Sequence, residues 1–240
     1  MSFRYLNTNY FLIPGSTGKG LLAFDAGWPC SLHDYARAMK TTGSGLKDIE
    51  WAVVSHFHLD HAGLIGEFQG LGITCIVLEN QMEAIDQMEE LVSRKYRDYR
   101  RIRKEGLLRI TTAESRDFLA GIGVAGEVVP TPGHSDDCVS LITDTHQVLI
   151  GDLYPVSQLM DDDVISRASW DLIRVRGGED VFPSHAEAFT LEPEGSVTNL
   201  RATPEFSAKG EGRKTARPRG ERRHKGLLPD ALQGRGKSNP

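Results

Sequence analysis

Directly behind the apolar run Trp51-Ala52-Val53-Val54 stands Ser55-His56-Phe57-His58-Leu59-Asp60-His61-Ala62-Gly63. No other stretch constrains the fold so much. Polar groups packed this closely are costly to bury unless something satisfies them. Imidazole nitrogens and carboxylate oxygens are the donors that Zn²⁺ takes at about 2.0–2.2 Å. On an extended or loop backbone His56, His58 and Asp60 alternate and can face one way, whereas His61 breaks the alternation. Asp60 with His61 is then available to a second ion. The run reads as half of a two-metal site, lying in a loop that follows a strand over 50–55.

The pattern His56-x-His58-x-Asp60-His61 resembles the signature of the metallo-β-lactamase-fold hydrolases. That family places a lone His after a turn, an Asp after a strand and a late His further along. Matching positions here are His134 in Thr131-Pro132-Gly133-His134-Ser135, Asp152 in Leu149-Ile150-Gly151-Asp152, and His185 in Val181-Phe182-Pro183-Ser184-His185. The resemblance, over roughly residues 5–190, implies that His56, His58 and His134 hold one metal. Asp60, His61 and His185 would hold the other, with Asp152 bridging. It also implies a four-layer αββα sandwich with the site on the shared edge of two sheets; periodicity alone says only mixed α/β. Two divalent ions are expected, zinc first, with iron or manganese compatible with the same donors.

The implied reaction is hydrolysis by metal-bound hydroxide, with no Ser or Cys nucleophile. Asp60 would orient the attacking water and shuttle its proton. Tyr154, two residues after Asp152, is a candidate donor to a substrate carbonyl, as a Tyr near this position is in lactonases, or else a core or rim residue. Asp25 in Asp25-Ala26-Gly27 is either a support for the metal loop from behind, as in the family, or a turn residue. Trp28 either lines the pocket or packs. True β-lactamases of the fold are usually exported, and one subclass has Cys where Asp152 stands. This chain keeps the Asp, and its ligand set resembles glyoxalase II-like thioesterases, acyl-homoserine-lactone lactonases and the phosphodiesterase branch. The preferred reading is a hydrolase of small esters, lactones or thioesters, with β-lactam turnover as a side activity. Second is a phosphodiesterase or nuclease; third, a non-catalytic metal-binding interaction protein.

Composition sets the remaining bounds. The 240 residues are 39% hydrophobic and 25% charged, enough for a core in an ordinary soluble chain. From Arg201 onward 11 Lys/Arg face 4 Asp/Glu, a net of +7 against a whole-chain net of −5, so the first 200 residues carry −12. A hydrolase domain over 1–191 and a disordered basic tail over 192–240 are expected, since the tail lacks apolar periodicity. The acidic domain favours a small-molecule substrate over nucleic acid. Met1 to Asn7 does not read as a signal peptide, and no apolar run is long enough to span a bilayer; the expected location is cytoplasmic. Three scattered cysteines argue against a disulfide framework.

Along the chain the patterns predict a hairpin over 9–13 and 20–25, a helix over 32–40 capped by Ser31, and a short helix near 63–71. A buried strand over 73–78 precedes a helix-rich charged stretch over 79–104. Its basic half, 94–104, is either a cap attracting an anionic substrate or a solvated helix face. Short strands are expected over 107–112 and 118–129, a hairpin over 138–150, a helix over 166–176 and a strand over 181–184. His33 and His146 lie outside the ligand pattern.

Overall fold

A computed structural model describes residues 1–18, 20–191 and, as backbone, 197–199. Six strands form the first sheet in chain order: β1 Ser2–Tyr5, β2 Thr8–Pro14, β3 Leu21–Phe24, β4 Ile49–Val53, β5 Thr74–Leu78 and β6 Leu107–Ile110. The β1–β3 meander is antiparallel, and β3 to β6 run parallel. The second sheet holds β7 Gly126–Pro130, β8 Val139–Thr143, β9 Gln147–Leu149, β10 Asp180–Phe182, β11 Phe189–Leu191 and β12 Val197–Asn199, with β9 and β10 its one parallel pair.

Period-two alternation sorts the strand residues into layers. Phe11, Ile13, Phe24 and Val53 of the first sheet meet Val128, Leu141, Leu149 and Phe182 of the second in one buried cluster between the sheets. The alternate residues Tyr10, Leu12, Ala52 and Val77 face outward onto three helices: α1 Leu32–Met39, α3 Ile65–Gly70 and α4 Met82–Lys95. On the far side Val129, Ile142 and Val181 pack beneath Trp170 and Ile173 of α6, Val164–Val175. Helices cover both outer faces, which is the expected four-layer αββα sandwich.

Several local expectations are corrected. Helix α4 stops at Lys95, and residues 96–103 run as an irregular strap. The buried Glu89 explains the stop, because its Oε1 accepts from both Tyr99 Oη and Ile102 N at 2.8 Å. The expected strands over 118–129 begin only at Gly126, after a helix, α5 Thr112–Gly121. A capping box starts that helix: Thr111 Oγ1 accepts from Glu114 N, and Glu114 Oε2 accepts from Thr111 N. Ser31 does not cap α1; its hydroxyl donates to Trp28 O at 2.7 Å instead. Strand β1 has no counterpart in the sequence reading. The tail expected over 192–240 lies outside the described residues, apart from the backbone of β12. No helix among the described residues is long and apolar enough to cross a membrane.

Candidate metal centre

Four loops meet at one edge of the sandwich, and each follows a strand. The loop after β4 brings His56, His58, Asp60 and His61; those after β7, β9 and β10 bring His134, Asp152 and His185. At Leu59 the first loop winds into a single helical turn, α2 Leu59–Ala62, with Ala62 N bonded to His58 O at 2.9 Å. That turn, absent from a purely extended reading, puts the donor atoms of Asp60 and His61 in a different ligand group from those of His56 and His58.

Buried polar contacts hold the loops in place. Asp137 accepts from Phe57 N at 2.6 Å with one oxygen and from Ser135 Oγ at 2.7 Å with the other, tying the His56–His58 segment to the His134 turn. Gln81, fully buried, donates to Val54 O and Asp137 O. At Gly133, φ 153°, a Cβ would come within 2.4 Å of Ser166 Oγ, so the turn before His134 needs glycine. Thr8 Oγ1 donates to Asp60 Oδ2 at 3.0 Å, and Tyr10 Oη donates to Asp60 O. Behind the loop, Asp25 Oδ2 lies 2.8 Å from His61 Nδ1 and Asp25 Oδ1 accepts from Ser55 N, the supporting position expected of it.

All seven expected ligands come together, in two groups. Donor atoms of His56, His58, His134 and Asp152 lie within 4.8 Å of one another, and so do those of Asp60, His61 and His185. His58 Nδ1 and His134 Nε2 are 3.0 Å apart. Asp152 stands between the groups. Its Oδ2 is 3.5 Å from His134 Nε2 and 3.9 Å from His56 Nε2, whereas its Oδ1 is 3.2 Å from His185 Nε2 and 3.3 Å from His61 Nε2. Asp60 Oδ2 lies 3.0 Å from His185 Nε2 and 3.4 Å from His61 Nε2. Donors that share one zinc ion at about 2.1 Å sit roughly 3–3.5 Å apart, so most of these spacings need little adjustment. His56 Nε2, His61 Nε2 and Asp152 Oδ1 are buried without a hydrogen-bond partner. Polar atoms in that position are costly unless something coordinates them. The donor set therefore fits divalent cations.

Electrostatics agree. Burial pushes the His56 imidazole well below its usual range, and the neighbouring His61 adds to this. Burial likewise lowers His134. Neutral imidazoles are what a metal takes. Around the second group burial opposes ionisation of Asp60 and Asp152, but the facing imidazoles of His185 and His61 outweigh it and hold both carboxyls below the usual carboxylate range. The same contacts, with Asp152 foremost, raise His185 to about 10. Burial lowers His61, yet Asp25, Asp152 and Asp60 together carry it well above its usual value. This group attracts positive charge, and a cation meets that demand. His58 and His185 are exposed and His56 and His61 buried, so the centre opens to solvent on one side.

Tyr154 is half exposed at the rim, its ring 6.1 Å from that of His134. Trp28 is half-buried with Nε1 lacking a partner. His33 and His146 are exposed and take no part. Sequence reasoning missed Ser55, Gln81, Asp137, Ser184 and Thr8. Only Ser55 and Ser184, each adjoining a ligand His, carried a signal.

A layered αββα sandwich with clustered His and Asp ligands at its strand ends defines a class of metal-binding proteins. The chain belongs to the metallo-beta-lactamase superfamily, whose family model matches residues 4–190. No curated protein matches the sequence. Among solved structures it is similar to a metallo-beta-lactamase family protein from Thermus thermophilus, at 18% identity and TM-score 0.58 over 75% of this chain and 69% of that one. It is also similar to the FEZ-1 metallo-beta-lactamase from Legionella gormanii, at 15% identity and TM-score 0.57 over 77% and 76%. A third is TTHA1623 in a di-iron-bound form, at 20% identity and TM-score 0.56 over 79% and 93%. At these identities the likeness speaks for the fold. Superfamily membership and the two ligand groups support a metal-dependent hydrolase that uses divalent ions.

Proposed function

We propose that the chain hydrolyses a small ester, lactone or thioester at a pair of divalent ions, with β-lactam turnover as a side activity. His56, His58 and His134 would hold the first ion and Asp60, His61 and His185 the second, with Asp152 standing between the two groups. The observation that carries this is Asp152, which turns one carboxylate oxygen to each group. When bound, such a pair supplies Lewis acidity, making water nucleophilic near neutral pH and polarising the scissile carbonyl. Asp60, fixed through Oδ2 by Thr8, orients the attacking water and accepts its proton. Tyr154 Oη, at the open rim, donates to the carbonyl oxygen as charge develops there. Zinc is the first choice of metal; the di-iron form of TTHA1623 makes iron the second. The working compartment is the cytoplasm, and the partner a small molecule.

A phosphodiesterase or nuclease is the second reading. Its best support would be free positive charge over 94–104, but Arg94 pairs with Glu90, Arg101 with Glu89 and Lys104 with Asp86. Three of the seven basic residues in the stretch are thus engaged by carboxylates, which reduces the charge left for a phosphate.

Metal analysis of the purified chain, with a panel of chromogenic esters, lactones, thioesters, cephalosporins and bis-nitrophenyl phosphate, tests the proposal. Chelator-sensitive turnover, highest on the esters or lactones, is expected. Asp152→Ala is expected to lower metal content and abolish that turnover. Full activity in this variant, or phosphodiester turnover above every ester, sinks it.

A further inference from the structure

Beneath the two ligand groups lies a closed polar network. Asp25 Oδ2 accepts from Ser184 Oγ at 3.1 Å and lies 2.8 Å from His61 Nδ1 and 3.2 Å from Ser55 Oγ. Ser55 Oγ in turn lies 3.0 Å from His56 Nδ1 and 3.2 Å from His61 Nδ1. Asp25, Ser55, His56, His61 and Ser184 all have 0% of their surface exposed, so water cannot stand in for any of these partners. The backbone before Asp152 presses on the network: a Cβ on Gly151 would fall 2.4 Å from Ser55 Oγ and 3.0 Å from His56 Nδ1.

Proton counting decides how the contacts run. A carboxylate only accepts, so His61 donates from Nδ1 to Asp25 along its shorter contact and turns Nε2 to the second ligand group. His56 Nδ1 has Ser55 Oγ as its partner, and a hydroxyl carries one proton. If Ser55 gave that proton to His56, the ring proton would sit on Nε2, which is buried with no acceptor. If Ser55 instead gives it to Asp25 Oδ2 and accepts from His56 Nδ1–H, all the groups beneath the ligands are satisfied. His56 Nε2 is then left with a lone pair turned toward the ligand group.

We propose that Ser55 is a positioning residue through which Asp25 sets the ring tautomer of His56, so that one carboxylate orients an imidazole in each half of the metal pair. Asp25 acts on His61 directly and on His56 by way of the Ser55 hydroxyl. The inference rests on the metal-centre reading of His56 and His61. It assigns a role that the ligands alone do not require, and it separates Ser55 from Ser184. Ser184 donates to the same Asp25 oxygen but has no hydrogen bond to either imidazole.

The test uses the full chain labelled with ¹⁵N-histidine. Long-range ¹H–¹⁵N correlation spectra of the metal-free wild type should show His56 protonated at Nδ1 and not at Nε2, and a proton on His61 Nδ1, a measurement that needs no variant. In Ser55→Ala His56 should lose that tautomer while His61 keeps its Nδ1 proton; in Ser184→Ala neither ring should change. Zinc affinity is then read by competition with a chelator in two backgrounds. His185→Ala leaves the first site and His58→Ala leaves the second. Ser55→Ala should weaken zinc about tenfold or more in the first background and by no more than about twofold in the second, the size expected for loss of a partner behind a ligand. Asp25→Asn should weaken both; Asn tolerates the left-handed backbone at this position, φ 71°. A wild-type His56 protonated at Nε2 overturns the proposal, as does an equal loss in both backgrounds or the same tautomer change in Ser184→Ala. If the wild type binds no metal, the metal-centre reading falls too; if it binds a pair and Ser55→Ala changes nothing, the relay alone falls.

Discussion

Asp137 shows how much of this centre depends on residues that would not touch an ion. Its carboxylate is 6% exposed and accepts the buried amide of Phe57, between two candidate ligands, together with the hydroxyl beside His134. Asp137→Ala leaves the Phe57 amide without a partner and frees the His134 turn. The expected cost is about 1–3 kcal/mol of stability, read from urea unfolding, together with weaker zinc binding. Unchanged unfolding and zinc affinity would show that the contact does nothing. The ligands were legible in the sequence because strand-end loops leave their chemistry in short local strings. Asp137 was not, since nothing in Ser135-Asp136-Asp137 says which carboxylate turns inward or that its partner lies 80 positions away.

At the scale of elements, two departures from the sequence reading have physical causes that can be measured. Helix α5 lacks a strong apolar stripe, which is why a glycine-punctuated stretch reads as strands. Its real signal is Thr111-x-x-Glu114, the capping box. Thr111→Ala should cost about 1 kcal/mol, read as a lower urea midpoint with an unchanged slope. Helix α4 ends where it does because Glu89, on its buried face, prefers the Tyr99 hydroxyl and the Ile102 amide to solvent. Composition alone makes 94–104 look like one more charged turn of helix. Glu89→Ala strands both donors, and the strap over 96–103 should loosen. Hydrogen exchange at the Ile102 amide should speed up markedly while that of β4 and β5 holds; protection retained at Ile102 would refute the anchoring role. The hairpins and the helix over 164–175 were readable because their apolar spacing and turn residues are local. Strand β1 was not, since its four residues hold only one buried apolar side chain, Phe3.

For the whole molecule, the bound ions should add to folding stability by mass action, since the unfolded chain has no assembled site. Free zinc at about 100 times its dissociation constant contributes about 2.7 kcal/mol for a single site. Removing metal with a chelator should therefore lower Tm, and adding zinc back should restore it. A Tm indifferent to both would remove the metal centre from the account of this fold. The layered architecture was legible only through the resemblance, because alternation in single strands says which face is apolar and not which sheet it meets.

The ligands divide by sheet: His56, His58, Asp60 and His61 follow a strand of the first, and His134, Asp152 and His185 follow strands of the second. Each group draws from both. Severed in the connection between α5 and β7, neither fragment would carry a complete set. An ion seated there would rivet the two halves of the sandwich, making coordination a checkpoint on their assembly.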